Sequence, residues 1–297
     1  MNINIERLLG EPITKLELKA SGACNDAYYV ETESGKRLIV KQEREVKEFQ
    51  PQNTLLLEAN IINALSSIGL SVPIPKIRFV AESPDMFAYD YIDGDLLINV
   101  WKDLSEKERI EICEALGKFH AEIGRVFTKE EAEKTGMHIN SSTRLHPEVE
   151  KEYNEILTFA DIPTDIKDLA KRAKSMFDQT LELGIFQFVH NDAHHENILI
   201  KDKKIAGIID FGESEYGEVA KEFSRYTRDF PDYVEYIIQA YEKASGNTLS
   251  RERVFSNAFL SGLIDNIELY REGGESRIRA EKNIGKYKDL LGAQSTN

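Results

Sequence analysis

The chain has 297 residues, with 38 Lys plus Arg against 52 Asp plus Glu and a formal net charge of −14. That sign excludes a general nucleic-acid binder, which needs a basic surface. It suits a cationic small substrate, and it suits plain solubility equally well. Hydrophobic residues are 41% and charged residues 30%, the two cysteines Cys24 and Cys113 lie far apart, and no apolar run approaches the ~18 residues of a membrane span. Disulfide scaffolds and membrane spans are thereby excluded, and a cytoplasmic enzyme of one large domain or two lobes is expected.

In chain order, KLELKA (15–20), AYYVET (27–32) and RLIVKQ (37–42) are short, β-rich and partly alternating, and predict strands. ESGK (33–36) predicts the hairpin turn between the last two. QNTLLLEANIINALSSIGL (52–70) predicts a helix with Leu55, Ala59, Ile62 and Leu65 on one stripe, Asn53 or Thr54 as its cap and Gly69 as its end. KIRFVA (76–81) and MFAYDY (86–91) predict two further strands. After IDGD (92–95) the character changes. Ser105 and Glu108 form the capping box of a helix over roughly 105–123. A charged stretch from Thr128 to Leu157 predicts surface helices and loops, and DIKDLAKRAKSMFDQTLELG (165–184) an amphipathic helix ending at glycine. Strands follow at FQFVH (186–190), NILI (197–200) and KIAGIID (204–210), the last two joined by a turn at KDKK (201–204). Residues 231–246 and 251–270 predict two more helices. The order places a lobe boundary at about residue 92, giving 1–91 and 92–297.

The chemistry concentrates in HNDAHHENILI (190–200) and in IAGIIDFGE, where Asp210 falls thirteen residues after Asn197. A zinc site needs His, Cys or carboxylates at a spacing that lets them converge. His194 and His195 are adjacent and are expected to point apart, and the strand at FQFVH keeps His190 from meeting His194. A serine hydrolase needs a G-x-S-x-G elbow, which the sequence lacks. Phosphoryl transfer needs an acid near the accepting hydroxyl and two oxygen ligands for Mg²⁺. H-x-D-x4-N sets Asp192 and Asn197 at the two ends of one loop, and the strand pair returns Asp210 beside Asn197. Mg²⁺ favours such sparse oxygen sites, completed by water and phosphate.

This set resembles the catalytic and metal-binding loops of the protein-kinase-like fold, HRDxxxxN and DFG. The closer likeness is to the aminoglycoside phosphotransferase family of small-molecule kinases. The resemblance implies an α+β, bilobal protein-kinase-like fold, with a small antiparallel-sheet N-lobe and a mainly helical C-lobe. It implies Mg²⁺ as cofactor, ATP or GTP as phosphate donor and a hydroxylated small molecule as acceptor, with an aminoglycoside or related amino sugar of the antibiotic-resistance type as the favoured one. Residue by residue, SGACNDA looks like the nucleotide loop and Lys41 in LIVK like the phosphate-binding lysine. Glu58 would be its ion-pair partner, and the backbone of Asp90 and Ile92 would face the base. Asp192 would be the catalytic acid-base group, and Asn197 and Asp210 the metal ligands. His190 is read as a structural residue of the loop, His194 and His195 as loop surface or substrate contacts, and Glu213 as a metal or supporting residue.

Two departures stand out. The nucleotide loop holds one glycine rather than G-x-G-x-x-G. After the metal aspartate the chain reads GESEYGEVAKEFSRY, with Glu222 where the family often has a second aspartate, and then Arg225 and Arg228, which do not suit a polycation. Against these, Asp265 and Glu268 in LIDNIELY share a helix face and would offer two carboxylates to an amine-bearing acceptor. The other readings are a kinase of another small alcohol (choline, homoserine, sugar or macrolide type), a nucleotide-binding pseudokinase, and a protein kinase. The last is disfavoured because no A-P-E segment follows IDFG.

Overall fold

A computed structural model describes residues 2–22, 24–44, 54–81, 86–145 and 147–293. The first part holds α1 (Asn2–Leu9), β1 (Ile13–Ser21), β2 (Asn25–Thr32), β3 (Arg37–Glu43), α2 (Leu55–Ser66), β4 (Ile77–Val80) and β5 (Met86–Asp90). Its five strands form an antiparallel sheet in the order β1-β2-β3-β5-β4. The two-residue period of β3 and β5 divides their side chains between the faces of this sheet. Leu38, Val40, Met86 and Ala88 bury against Ile5 of α1, whereas Ile39, Phe87 and Tyr89 join the core that contains Leu55, Ala59, Ile62 and Leu65 of α2. Lys41 follows the parity of Ile39 and therefore lies on the α2 face. The Thr54 hydroxyl caps α2 by accepting the N–H of Leu57 at 3.2 Å. The helix stops at Ser66, three residues short of Gly69.

The remainder is mainly helical. In order it holds β6 (Asp95–Leu96), α3 (Leu97–Val100), α4 (Glu106–Ile123), α5 (Lys129–Thr135), β7 (His138–Ile139), α6 (Pro147–Thr158), α7 (Thr164–Gln179), β8 (Phe186–Val189), β9 (Ile198–Lys201), β10 (Lys204–Ile208), β11 (Glu215–Glu218), α8 (Val219–Asp229), α9 (Val234–Ser245), α10 (Arg251–Glu272) and α11 (Gly274–Ala293). The Ser105/Glu108 capping box opens α4. Two small sheets, β10-β9-β6 and β7-β11-β8, carry the loops between them. The segments α1, α3, α8, α11, β6, β7 and β11 were not expected from the sequence.

Helices α4 and α9 approach so closely that a Cβ on Gly117 would lie 2.1 Å from the Ile237 carbonyl oxygen and 2.8 Å from the Ala240 Cβ. Backbone cannot yield to that intrusion as a flexible side chain would. Gly117→Ala is expected to destabilise the protein by about 1–3 kcal/mol, read as a lower denaturation midpoint at an unchanged slope. A midpoint equal to wild type would show that the helices separate freely.

Candidate active site

β9 and β10 are joined by a two-residue turn at Asp202 and Lys203, both left-handed with φ of 50° and 63°. Such a turn matches the strand twist and fixes the hairpin register. Pairing starts with Lys201 opposite Lys204, slips by one residue between Ile205 and Gly207, and ends with Ile198 opposite Ile208. The Ile209 N–H then donates to the Asn197 carbonyl at 2.9 Å, which sets Asp210 just past Asn197. Asp210 itself has φ 66°, a conformation that favours glycine. Strain of this kind clusters where a side chain must be aimed.

The aim is at Lys41. Its ammonium lies 2.7 Å from Asp210 Oδ1 and 2.9 Å from each oxygen of Glu58. Lys41 and Glu58 are both buried. Burial works against the Lys41 charge, but the carboxylates of Asp210 and Glu58 outweigh it and push its pKa up. Burial likewise raises Asp210, and Lys41 reverses this, so its carboxyl ends below the usual range. The structure thus joins three residues from β3, α2 and the end of β10 in one ionic group.

Asp192 lies on the loop between β8 and β9. Asn197 closes this loop by donating Nδ2 to the Asp192 carbonyl at 2.9 Å and to Asp192 Oδ2 at 3.0 Å. With Nδ2 committed, the amide oxygen of Asn197 is the atom it has for a cation. The other carboxylate oxygen, Asp192 Oδ1, accepts from Arg225 Nη1 at 2.9 Å. Arg225 comes from α8, so Asp192 stands between Asn197 on one side and a guanidinium on the other. The sequence singled out Arg225 but not this contact.

Three histidines frame the loop. His190 is fully buried, and burial holds its imidazole down at about 4. Neutral, it accepts the Asp192 N–H on Nδ1 at 3.3 Å and donates from Nε2 to the Ile209 carbonyl at 3.1 Å. It therefore ties the loop to the strand that ends at Asp210, and its ring packs 4.4 Å from that of Phe211. His194 Nε2 lies 3.6 Å from Asp192 Oδ2, and that carboxylate raises the His194 pKa. His195 Nδ1 lies 2.8 Å from the buried Asp229. The two adjacent histidines do not diverge as expected: His194, His195 and Asp229 each bring a donor atom within 4.8 Å of the others. The loop docks against the end of α8, so both rings turn towards it. Asp229 is already engaged there by Arg228 Nε at 2.9 Å.

Beneath the loop, Asn191 adopts φ 61° and donates its N–H to Glu222 Oε2 at 2.5 Å. Glu222 is buried, and burial pushes its carboxyl up to about 7. His120 Nδ1 of α4 lies 3.7 Å from it, and His120 Nε2 shares a 2.6 Å hydrogen bond with the Tyr226 hydroxyl. The sequence flagged Glu222 by position, but its partners came only with the fold.

The Asp90 N–H donates to the Lys76 carbonyl at 3.1 Å, so it has no donor left for a base, and the Asp90 side chain pairs with Arg78. The Ile92 side chain packs over Gly207, where an added Cβ would meet its Cδ1 at 2.7 Å. Asp265 and Glu268 fall on α10, but their side chains lie outside the described residues. Glu213 follows the strained Asp210 on the same turn and is half-buried.

An antiparallel sheet carrying a Lys–Glu pair, over a helical body that presents H-x-D-x4-N and I-D-F-G loops, defines a kinase-like phosphotransferase. The chain belongs to the phosphotransferase enzyme family known as APH, which it matches over residues 15–255. No curated protein matches it. Among solved structures it is similar to the apoenzyme of macrolide 2'-phosphotransferase MphH from Brachybacterium faecium, with TM-score 0.66, 15% identity and 95% of each chain covered. It is similar also to the streptomycin–ATP ternary complex of APH(2")-IIa, with TM-score 0.63, 19% identity, and 92% of this chain and 91% of that one covered. The GDP and kanamycin complex of APH(2")-IIIa gives TM-score 0.64 at 15% identity, over 99% of this chain and 97% of that one. At these identities the likeness is one of fold, the α+β kinase-like architecture.

Proposed function

We propose that the protein moves the γ-phosphate of ATP or GTP to a hydroxyl of a small molecule, in a Mg²⁺-dependent reaction in the cytoplasm. The observation that carries this reading is the joining of Lys41, Glu58 and Asp210 into one ionic group, with Lys41 and Glu58 buried, beside the Asp192–Asn197 loop. Lys41, held in place by Glu58, binds the α- and β-phosphates. Asp192 orients the acceptor hydroxyl and takes its proton. As the acceptor oxygen bonds to the γ-phosphorus, the bond to the β-bridging oxygen breaks and the nucleoside diphosphate leaves. The loose transition state makes positioning and charge the main contributions.

Asp210 and the amide oxygen of Asn197 form a hard-oxygen pair that fits Mg²⁺. These two residues would hold the cation, which would supply charge neutralisation at the phosphates. Residues 1–91 would act as the nucleotide lobe and 92–297 as the catalytic lobe. A pseudokinase is disfavoured because the charged groups needed for transfer are present and already connected. No helix among the described residues is long and apolar enough to cross a membrane.

An aminoglycoside acceptor of the antibiotic-resistance type is supported by the ligands of two structural neighbours, streptomycin and kanamycin. On this chain it would rest on Asp265 and Glu268. The guanidinium against Asp192 favours a different small alcohol.

The test is transfer from labelled ATP and GTP to a panel of hydroxylated compounds, with mass analysis of the products. Asp210→Ala is expected to abolish the tightening of nucleotide binding by magnesium, measured by calorimetry with and without the metal. An unchanged magnesium effect would remove Asp210 from the metal site.

A further inference from the structure

The geometry points to an acceptor that carries an anionic group, a carboxylate or a phosphate, held by Arg225 beside the hydroxyl presented to Asp192. This deepens the phosphotransfer reading and rests on it.

Asp192 has two distinct sides. Oδ2 accepts from Asn197, whose amide oxygen serves the metal side. Oδ1 accepts from Arg225, on the side of α8. The acceptor approaches the side away from the metal, so Arg225 belongs to the acceptor's half of the site. A guanidinium offers five N–H donors in a fork that matches carboxylate and phosphate. Among the described residues, its hydrogen bond is the single one from Nη1 to Asp192, and the side chain is 34% exposed. One arm of the fork thus holds Asp192, and the rest is free to hold an acid.

The surrounding charges agree. His194 stands 3.6 Å from Asp192 on its other face. The carboxylates of α8 are engaged elsewhere, Glu222 by the Asn191 N–H and Asp229 by His195 and Arg228, and the Glu196 side chain on the loop is exposed. An ammonium brought to this point meets a guanidinium first, and like charges in contact discriminate strongly. Lys221 lies one turn before Arg225 on α8 and lines a cleft of about 450 Å³, room for a small molecule. That cleft's lining includes neither Asp192 nor Arg225, so the charge presented beside the acceptor hydroxyl is set by Arg225 itself.

The experiment compares alcohols of matched size: glycerol, glycerate, glycerol 3-phosphate and 3-amino-1,2-propanediol, then glucose, glucuronate, glucose 6-phosphate and glucosamine, with kanamycin and gentamicin added. Wild type is expected to phosphorylate a carboxylate or phosphate member with a kcat/KM about 10–100-fold above its neutral and amine counterparts, the range for a charged hydrogen bond. Comparing the two acid types names the anion. Arg225→Gln should remove this preference, and Arg225→Lys should keep most of it. Preference for neutral or amine members, preferred transfer to an aminoglycoside, an acid preference that survives Arg225→Gln, or no transfer to any acid while wild type hydrolyses nucleotide to water would each overturn the inference. Wild type that turns over no nucleotide at all would overturn the phosphotransfer reading and this inference with it.

Discussion

Asp192→Ala is expected to slow phosphate transfer by about 10²–10⁴-fold while nucleotide affinity stays near wild type. Asp192 is the one carboxylate placed between the Asn197 amide and the Arg225 guanidinium, and it makes no contact with Lys41 or Glu58. Nucleotide therefore finds its binding groups intact, and what is lost is the orientation of the hydroxyl and the acceptor for its proton. Single-turnover transfer and nucleotide titration on the same preparation separate the two. Turnover within about tenfold of wild type would place the proton acceptor elsewhere, since general-base effects start at about 10²-fold. Asp192→Asn keeps the shape and the hydrogen bond to Arg225 and is expected to remain slow.

Lys41→Met is expected to cost both activity and about 3–5 kcal/mol of stability, because it leaves Glu58 as a buried carboxylate without its cation. The affected group is more than 95% buried, with Glu58 at 2% exposure. The loss should be repaired in Lys41→Met/Glu58→Leu, whose apolar pair suits the neighbouring Ile39 and Phe87, while transfer stays absent. A double variant that recovers transfer would show that the pair is scaffolding. A single variant as stable as wild type would show that Glu58 protonates without difficulty.

The pairing of Lys41 with Glu58 came from the family resemblance, and each of the two stands on a strongly patterned element. LIVK alternates towards a core, and Glu58 interrupts the apolar stripe of the following helix. The H-x-D-x4-N loop and IIDFG were legible for a similar reason, since polar residues at fixed spacing between apolar strands have few other uses. β11 was not legible. Its sequence, EYGE, has poor strand propensity, and it is a strand because its buried carboxylates find partners: Glu215 meets Lys221 and His138, and Glu218 meets the buried Arg253. The ion pair of Arg225 with Asp192 spans 33 residues of sequence and obeys no local period. The convergence of His194 and His195 was misjudged because side-chain direction was argued from adjacency alone, whereas the loop's docking on α8 decides it. α1 and α11 were missed because neither begins from a recognisable cap in the sequence.

The hairpin between Asn197 and Asp210 makes their spacing a matter of register. Thirteen residues separate them, but the geometric quantity is an antiparallel ladder with one slipped residue between Ile205 and Gly207. A strand shifted by one position turns every side chain to the opposite face. Lengthening or shortening both strands by one residue each therefore preserves the meeting of Asn197 and Asp210, and so does deleting Ala206, the extra residue of the slip, because Gly207 stays opposite Leu199, whereas deleting Ile200 from β9 alone shifts the register. A lineage or a designer altering this hairpin keeps the two donors together by changing both strands at once, with the slipped residue as slack.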